Sequence, residues 1–551
     1  MTQGIISNLF TQHEGDTVSR RSIDLIKRVY LNDSRPWVVG FSGGKDSTLT
    51  TQLIFEALLE LSPEQLHKKV FIISSDTLVE NPLVVSMING SLHRMQEAAL
   101  KYNLPIETQK VKPLTEKTFW TNIIGRGYPT PNQTFRWCTD RLKIDPANRF
   151  IKDKVSKYGE IIMILGVRSS ESTSRGQSIK DHEISGSELM RHTSLANAYV
   201  FAPIKEFVLD DVWSYLLQNP APWGEDHHKL QKMYMDSSSE CPLVVDQNIK
   251  ESAGSCGNSR FGCWTCTVVN QDKSLTGFIQ TGEHDWLKPL LKFRNKMVLI
   301  RDDRSKRMHK RMNGAFYLLE VPHEIKEDGI YIVQKKKGGR AATSHKVVDR
   351  IEDLTDESVL AVPKRQLSQF IATHNIDLSK PEEFNIQFVV LETNDDGQAV
   401  YSHLGLGPFT LTTRIELMRD LLILQRDLKV PNSVEYKLIQ NDELRAIRRL
   451  WLREGDWKDT LPGLYREVFG VDLDWEQDDR QILTSDQAND LELLSQKHGL
   501  DFNMVQKLFT TANDFLGVKV KRGFNKDVAA LLSQDYLNLY KEQGDLKNYE
   551  D

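Results

Sequence analysis

The segment Ser42-Gly43-Gly44-Lys45-Asp46-Ser47 constrains this chain most. It lies between a short apolar run, Trp37 to Ser42, and a stretch from Thr48 to Leu61 whose apolar residues Leu49, Leu53 and Ala57 fall at helical spacing. Two glycines let the backbone turn tightly and leave its N–H groups open. The helix that follows brings its positive N-terminal end to the same place. Lys45 adds a mobile cation, Ser42 and Ser47 add hydroxyl donors, and Asp46 is a candidate magnesium ligand. The pattern is not that of Walker loops: Val39 occupies the first glycine position, and Asp46 follows the lysine where Ser or Thr is required. These features describe a cradle for pyrophosphate.

More runs of the same kind follow. Val70 to Ser75, Ile106 to Val111, Ile161 to Leu165 and Tyr199 to Phe201 read as further strands, and Pro82 to Tyr102 reads as a helix. Runs apolar on both faces and separated by helices predict a buried, five-strand parallel sheet in an α/β domain over residues 1–219. A cysteine-rich segment is expected over 220–277. From 278 to 551 the text is mostly amphipathic helix, interrupted by one extended patch, Gly329 to Val333. Leu417, Leu421 and Leu424 form a helical stripe that reads as core or partner surface. A chain of 551 residues has room for two to four domains.

The five cysteines are Cys138, Cys241, Cys256, Cys263 and Cys266. An odd count, with three packed inside eleven residues, points to a reducing cytoplasm and a metal site instead of a secreted disulfide framework. No run of about 18 apolar residues predicts a membrane span. The net charge of −5 excludes a uniformly basic coat but not a local basic face.

Five ordered segments carry a resemblance. The Ser42–Ser47 loop resembles that of the PP-loop ATP pyrophosphatases (the adenine nucleotide alpha hydrolase-like fold), and more closely the branch that includes phosphoadenylylsulfate reductases. Ser75-Asp76-Thr77 looks like that branch's Asp-Thr element. Trp137-Cys138 through Lys143 to Pro146 resembles its Cys-Cys-x-x-x-Lys-x-x-Pro element. Gly166-Val167-Arg168 through Ser172, with Arg175 beyond, resembles its Gly-x-Arg-x-x-Glu-Ser element. Pro203-Ile204 and Asp211-Val212-Trp213-Ser214-Tyr215 resemble its Pro-Leu…Asp-Val-Trp-x-Tyr element.

The stretch Glu240 to Val244 and Ser255 to Cys266 is similar, within that branch, to the DndC-type DNA phosphorothioation sulfurtransferases. The resemblance implies an ATP-using enzyme that adenylylates a DNA backbone phosphate, releases pyrophosphate and replaces a non-bridging oxygen by sulfur. It implies ATP, Mg2+ and a [4Fe-4S] cluster as cofactors, a cysteine desulfurase as sulfur donor, and companion proteins of the same modification system. It places Ser42, Gly43, Gly44, Lys45, Asp46, Ser47, Asp76 and Lys143 at the nucleotide. Lys45, Asp46, Arg168 and Arg175 would serve catalysis, the two arginines by gripping phosphate.

Two departures from the branch stand out. The last cysteine is Cys266, so no nucleophilic cysteine lies near Asp551, which disfavours sulfonucleotide reduction. Trp137 stands where cluster-bearing relatives have a second cysteine.

By spacing, Cys256, Cys263 and Cys266 supply three thiolates suited to zinc or to an iron–sulfur cluster. The family match makes Cys138 the fourth ligand, and Cys241 is its competitor. His227 and His228 are weaker candidates, and Trp264 is a stacking platform or packing around the metal site.

A basic run holds Lys292, Arg294, Lys296, Arg301, Arg304, Lys306, Arg307, Lys310 and Arg311, and a second holds Lys335, Lys336, Lys337 and Arg340. These are expected either to meet DNA phosphates or to form solvated helix faces. Rival readings are a tRNA thiolase and an ATP-sensing scaffold.

Overall fold

The computed structural model describes residues 17–171, 173–192, 195–237, 261–334, 343–380, 387–431, 436–454, 456, 458–475, 485–515, 523–532 and 534. Cys241, Cys256 and the second basic cluster at 335–340 lie outside the described residues. Two compact units emerge. The first takes in 1–119, 131–294 and 428–438; the second takes in 120–130, 295–427 and 439–551.

The first unit is built on six strands: β1 (Trp37–Gly40), β2 (Val70–Ser75), β3 (Ile106–Val111), β4 (Ile161–Ile164), β5 (Met190–Arg191) and β6 (Ala198–Phe201). Their spatial order is β3-β2-β1-β4-β6-β5, with every pair parallel except β5 against β6. All five expected strands are present, and the two-residue β5 is added at the edge. Val70–Ser75 is buried almost throughout, as an interior parallel strand must be. Edge strand β3 alternates between buried and open positions.

Helices cover both faces. Along the chain they are α1 (Val18–Leu31), α2 (Lys45–Leu59), α3 (Pro82–Lys101), α4 (Asp145–Tyr158), α5 (Thr173–His182), α6 (Leu209–Gln218), α7 (His227–Asp236), α8 (Lys273–Gln280) and α9 (Lys288–Arg301). One face packs Trp37, Val39, Ile72 and Ile164 beneath side chains of α1, α2, α3 and α6. The other packs Val38, Phe71 and Ile161 against Phe150 and Ile151 of α4. The sheet order reverses between β1 and β4, and ligands of open α/β sheets bind at the carboxyl ends of strands at such a point. The loops that leave β1 and β4 there carry Ser42–Ser47 and Gly166–Arg168.

The second unit is helix-rich and also holds a mixed seven-stranded sheet. The strands are β7 (Leu318–Glu320), β8 (His323–Lys326), β9 (Gly329–Gln334), β10 (Thr343–Val348), β11 (Ser358–Pro363), β12 (Phe388–Thr393) and β13 (Ala399–Leu404), in the order β7-β13-β12-β11-β10-β9-β8. Only β9 covers the extended patch expected from the sequence. The helices of this unit are α10 (Leu367–Thr373), α11 (Leu411–Asp427), α12 (Asn441–Glu454), α13 (Thr460–Phe469), α14 (Ser485–Lys497), α15 (Phe502–Asp514) and α16 (Phe524–Leu532). Leu417, Leu421 and Leu424 are buried, so their stripe is core. No helix among the described residues is long and apolar enough to cross a membrane.

Candidate active site

At the exit of β1 the chain turns through Gly43, whose φ of +73° lies in the left-handed region open to glycine. Gly44 then caps α2. The loop closes on itself: Ser47 Oγ accepts from the Ser42 amide at 3.2 Å, lies 3.1 Å from Ser42 Oγ, and donates to the Gly44 carbonyl at 2.9 Å. The helix dipole and its first amides therefore converge where Lys45 and Asp46 begin α2.

Asp46 is shared by two cations. Arg168 Nε donates to its Oδ1 at 2.6 Å, and Lys45 Nζ lies 3.5 Å from its Oδ2. Lys45 and Arg168 are both buried. Gly166, two residues before Arg168, lets the β4 exit loop press against α2: a Cβ there would fall 2.7 Å from the Asp46 carbonyl oxygen. The expected Lys45, Asp46 and Arg168 thus form one cluster, and in it Asp46 organises cations. Arg175 lies in α5, and its side chain is outside the described residues.

A residue the sequence reading missed completes the cradle. Tyr234, on α7, accepts a hydrogen bond from the Lys45 amide at 3.2 Å, and its ring centre lies 5.2 Å from Lys45 Nζ. Trp213 and Phe261 hold that ring edge-on at 5.2 and 4.6 Å. The far end of α7 is pinned by His227, whose Nε2 lies 2.6 Å from Gln52 Oε1 of α2. His227 is therefore committed to the protein interior, and His228 pairs with Asp226 at 2.9 Å. Among the described residues, neither is gathered with the cysteines.

Phe261 leads into the cysteine turn. Cys263 forms an antiparallel bridge with Glu80 in the β2 exit loop. Trp264 N–H donates to the Val79 carbonyl at 3.1 Å, and Thr77 Oγ1 lies 3.3 Å from Cys263 Sγ. That exit loop is shaped by Asp76, whose Oδ1 accepts from the Leu78 amide at 3.1 Å while Leu78 sits at φ +65°. Asp76 Oδ2 is paired with Lys110 at 2.9 Å and Lys112 at 3.7 Å. Asp76 is therefore built into the wall beside the cysteine turn.

Cys138 precedes a wide π-type turn, Asp140–Ile144, that contains Lys143 and leads into α4; such turns recur at functional sites. The Lys143 ammonium is raised above its ordinary pKa, chiefly by Cys263 and also by Glu80, Cys138 and Cys266. Burial pushes the Cys263 thiol up to about 12 and the Cys138 thiol upward, and Cys266 adds to both. Burial also pushes Glu80 up to about 7, against the pull of Lys143. The structure thus brings Cys138, Cys263 and Cys266 within electrostatic reach of Lys143. Among the described residues, no three His, Cys, Asp or Glu side chains are grouped tightly enough to hold a single ion.

Trp264 is 1% exposed and packs edge-on against Phe293 at 6.1 Å, so it is packing and not a platform for a base. The first basic run is largely consumed inside the protein. Arg294 and Arg307 are buried and donate to backbone carbonyls. Lys296 pairs with Asp420, and Lys306 pairs with Glu416 at 2.9 Å. For Arg294 and Arg307, neither of the two expected roles, phosphate contact or a solvated helix face, is the one observed.

With this geometry in place, comparison with known proteins adds a similarity. The model described as the phosphoadenosine phosphosulfate reductase domain matches residues 36–269. That segment is similar to a phosphoadenosine phosphosulfate reductase domain. It contains the loop, Arg168, Tyr234 and every cysteine of the chain.

An uncharacterized protein of Methanocaldococcus jannaschii is 26% identical to this chain over 214 residues, which is 39% of this chain and 38% of that protein. The chain thus spans well under half the length of that relative. Among solved structures, phosphoadenylyl-sulfate reductase from Candida auris, as a phosphate complex, is 14% identical. The match covers 39% of this chain and 91% of that one at a TM-score of 0.25. The U34-tRNA thiolase NcsA from Methanococcus maripaludis, with its [4Fe-4S] cluster, is 12% identical, with 54% and 79% covered at a TM-score of 0.25.

Proposed function

We propose that this protein is an ATP-dependent sulfurtransferase that activates a DNA backbone phosphate by adenylylation and helps replace one non-bridging oxygen by sulfur. One observation carries the reading: Tyr234 touches the phosphate cradle with its hydroxyl and the cysteine segment, at Phe261, with its ring. The phosphate cradle and the segment that leads into Cys263 and Cys266 therefore share one side chain.

Loop amides and Lys45 hold the β- and γ-phosphates, and Asp46, drawn from its cation pairs, is available to magnesium. A DNA phosphate oxygen attacks the α-phosphorus, the α–β bridging bond breaks, and pyrophosphate leaves. Arg168 offsets the charge that develops. A persulfide sulfur drawn from a cysteine desulfurase then attacks the DNA phosphorus, and AMP departs with the original oxygen. A second thiol cleaves the remaining S–S bond, supplying two electrons as it is oxidised to a disulfide with the carrier thiol and leaving sulfur on phosphorus.

The cysteines suit a [4Fe-4S] cluster. The described thiols come from two separate elements, Cys138 before α4 and Cys263 and Cys266 in one turn, and thiolates are the donors that iron–sulfur clusters take. Cys138, Cys263 and Cys266 would hold it together with Cys256. Bound there, the group supplies soft iron sites able to bind sulfide. Burial keeps the Cys138 and Cys263 thiols protonated, so a metal's charge is what would ionise them.

The test is mass spectrometry of nuclease-digested DNA and tRNA from cells carrying the wild type or Lys45→Ala. Phosphorothioate dinucleotides should vanish with the variant. Unchanged phosphorothioate together with lost tRNA thiolation would replace DNA by tRNA as substrate. Iron and acid-labile sulfide should accompany the anaerobically purified protein and be lost from Cys138→Ser but retained in Cys241→Ser. Stoichiometric zinc without sulfide would sink the cluster.

A further inference from the structure

Arg294 stands at an apolar position. On α9 the buried residues are Leu290, Phe293, Arg294, Met297 and Ile300, a helical stripe with one guanidinium in its middle. A fully buried cation is costly unless its donors are satisfied. Here they are turned onto one short backbone segment. Arg294 Nε donates to the Cys266 carbonyl at 2.8 Å, one terminal nitrogen donates to the Asn270 carbonyl at 2.7 Å, and the other donates to the Val269 carbonyl. The neighbouring Phe293 packs on Trp264 of the same turn. Cys266 N–H closes that turn onto the Cys263 carbonyl at 3.0 Å.

We propose that Arg294 is the positioning residue of the cysteine turn: its planar fork gathers the carbonyls of Cys266, Val269 and Asn270 and thereby fixes where the Cys263 and Cys266 sulfurs point. A lysine keeps the charge but cannot reach three carbonyls in one plane. A methionine keeps the volume and has no donor. The clamp acts through backbone, so it holds the turn in one shape before any metal arrives. Groups that orient metal ligands from behind commonly change metal retention by ten- to a hundredfold.

For its metal readout the inference rests on the cluster reading above; its thiol readout does not. Arg294→Lys and Arg294→Met are purified anaerobically and challenged with an iron chelator. Both should release iron about tenfold or more faster than the wild type, while ATP affinity stays unchanged and reports an intact nucleotide sheet. Thr267→Val is the control, because it removes a neutral bond from the same turn, Thr267 Oγ1 to the Pro131 carbonyl at 2.6 Å. In metal-free protein, alkylation followed by mass spectrometry should show Cys266 reacting faster in Arg294→Met, with Cys138 unchanged. Iron loss at the wild-type rate in Arg294→Lys, equal loss in Thr267→Val, or unaltered Cys266 labelling would each overturn the assignment. Wild-type protein without iron or sulfide would defeat the cluster reading and leave the labelling arm to decide the clamp.

Discussion

The Tyr234 hydroxyl accepts the Lys45 amide, 189 residues away in the chain, at the mouth of α2. A phosphate that takes this N–H must displace the phenol. Tyr234→Phe should therefore bind a non-hydrolysable ATP analogue about three- to tenfold more tightly, in keeping with roughly 1 kcal/mol for a neutral hydrogen bond. The ring contacts with Trp213 and Phe261 survive the change, so its effect on the fold stays small. Calorimetric titration checks this; weaker binding would mean that the phenol itself contacts the nucleotide.

Arg168 and Lys45 meet on one carboxylate, Asp46. Lys45→Ala and Arg168→Ala should each lower pyrophosphate release about a hundredfold or more, the range seen when a charge-stabilising donor is removed. Because they share Asp46, the double variant should fall by less than the product of the two losses. A pyrophosphate-coupled assay measures all three, and strict multiplication would show that the two cations act independently.

Glu56 gives the fold a dependence on pH. It lies on α2, where it accepts from Gln52 Nε2 at 2.9 Å and from the Tyr215 hydroxyl. Burial pushes its carboxyl up to about 7, against the pull of both donors. The native state then holds a proton that the unfolded chain releases near its ordinary value of 4.5, so stability falls as pH rises from about 4.5 to about 7. The loss is at most about 3 kcal/mol. Buried His227 has its pKa lowered and acts in the opposite sense, weakening the fold as pH falls below the ordinary histidine range. The difference between wild type and Glu56→Gln isolates the carboxylate. Urea unfolding should show the variant gaining relative stability between pH 5 and pH 8, and a constant difference would count against a protonated Glu56.

Much of the first unit was legible in the sequence because its strands are apolar on both faces and its turn residues are specialised. Gly43, Lys45 and Arg168 stand in local patterns that name a chemistry. Tyr234 does not, because its partner lies far off in sequence and a tyrosine in an apolar helix stripe has no local signature. Arg294 left a signal that went unread: a charge at the buried spacing of Leu290, Phe293 and Met297 cannot be a solvated face. The second sheet was hidden for another reason. Strand β8, His323–Lys326, is exposed along its whole length, and runs such as Ser358–Pro363 are too short to separate strand from helix by periodicity.

Two glycines of the cradle should fail differently when a methyl group is added. At Gly43 the new Cβ would lie 2.8 Å from Ile88 Cγ1 and from Met87 Cε, side-chain atoms that can move. The main cost there is the left-handed backbone, about 1 kcal/mol. At Gly166 the obstacles are the Asp46 carbonyl oxygen at 2.7 Å and its carbon at 2.9 Å. They belong to the first turn of α2, which Thr50 Oγ1 braces by donating to that same oxygen at 2.9 Å. Backbone locked in this way yields less readily, and overpacking of such sites costs about 1–3 kcal/mol. The displaced residue is also the carboxylate that holds Arg168 and Lys45. Gly166→Ala should therefore lose more pyrophosphate release than Gly43→Ala for each unit of stability lost in urea unfolding. If the two variants fall on one line relating activity to stability, the β4 exit loop does not set the position of Asp46.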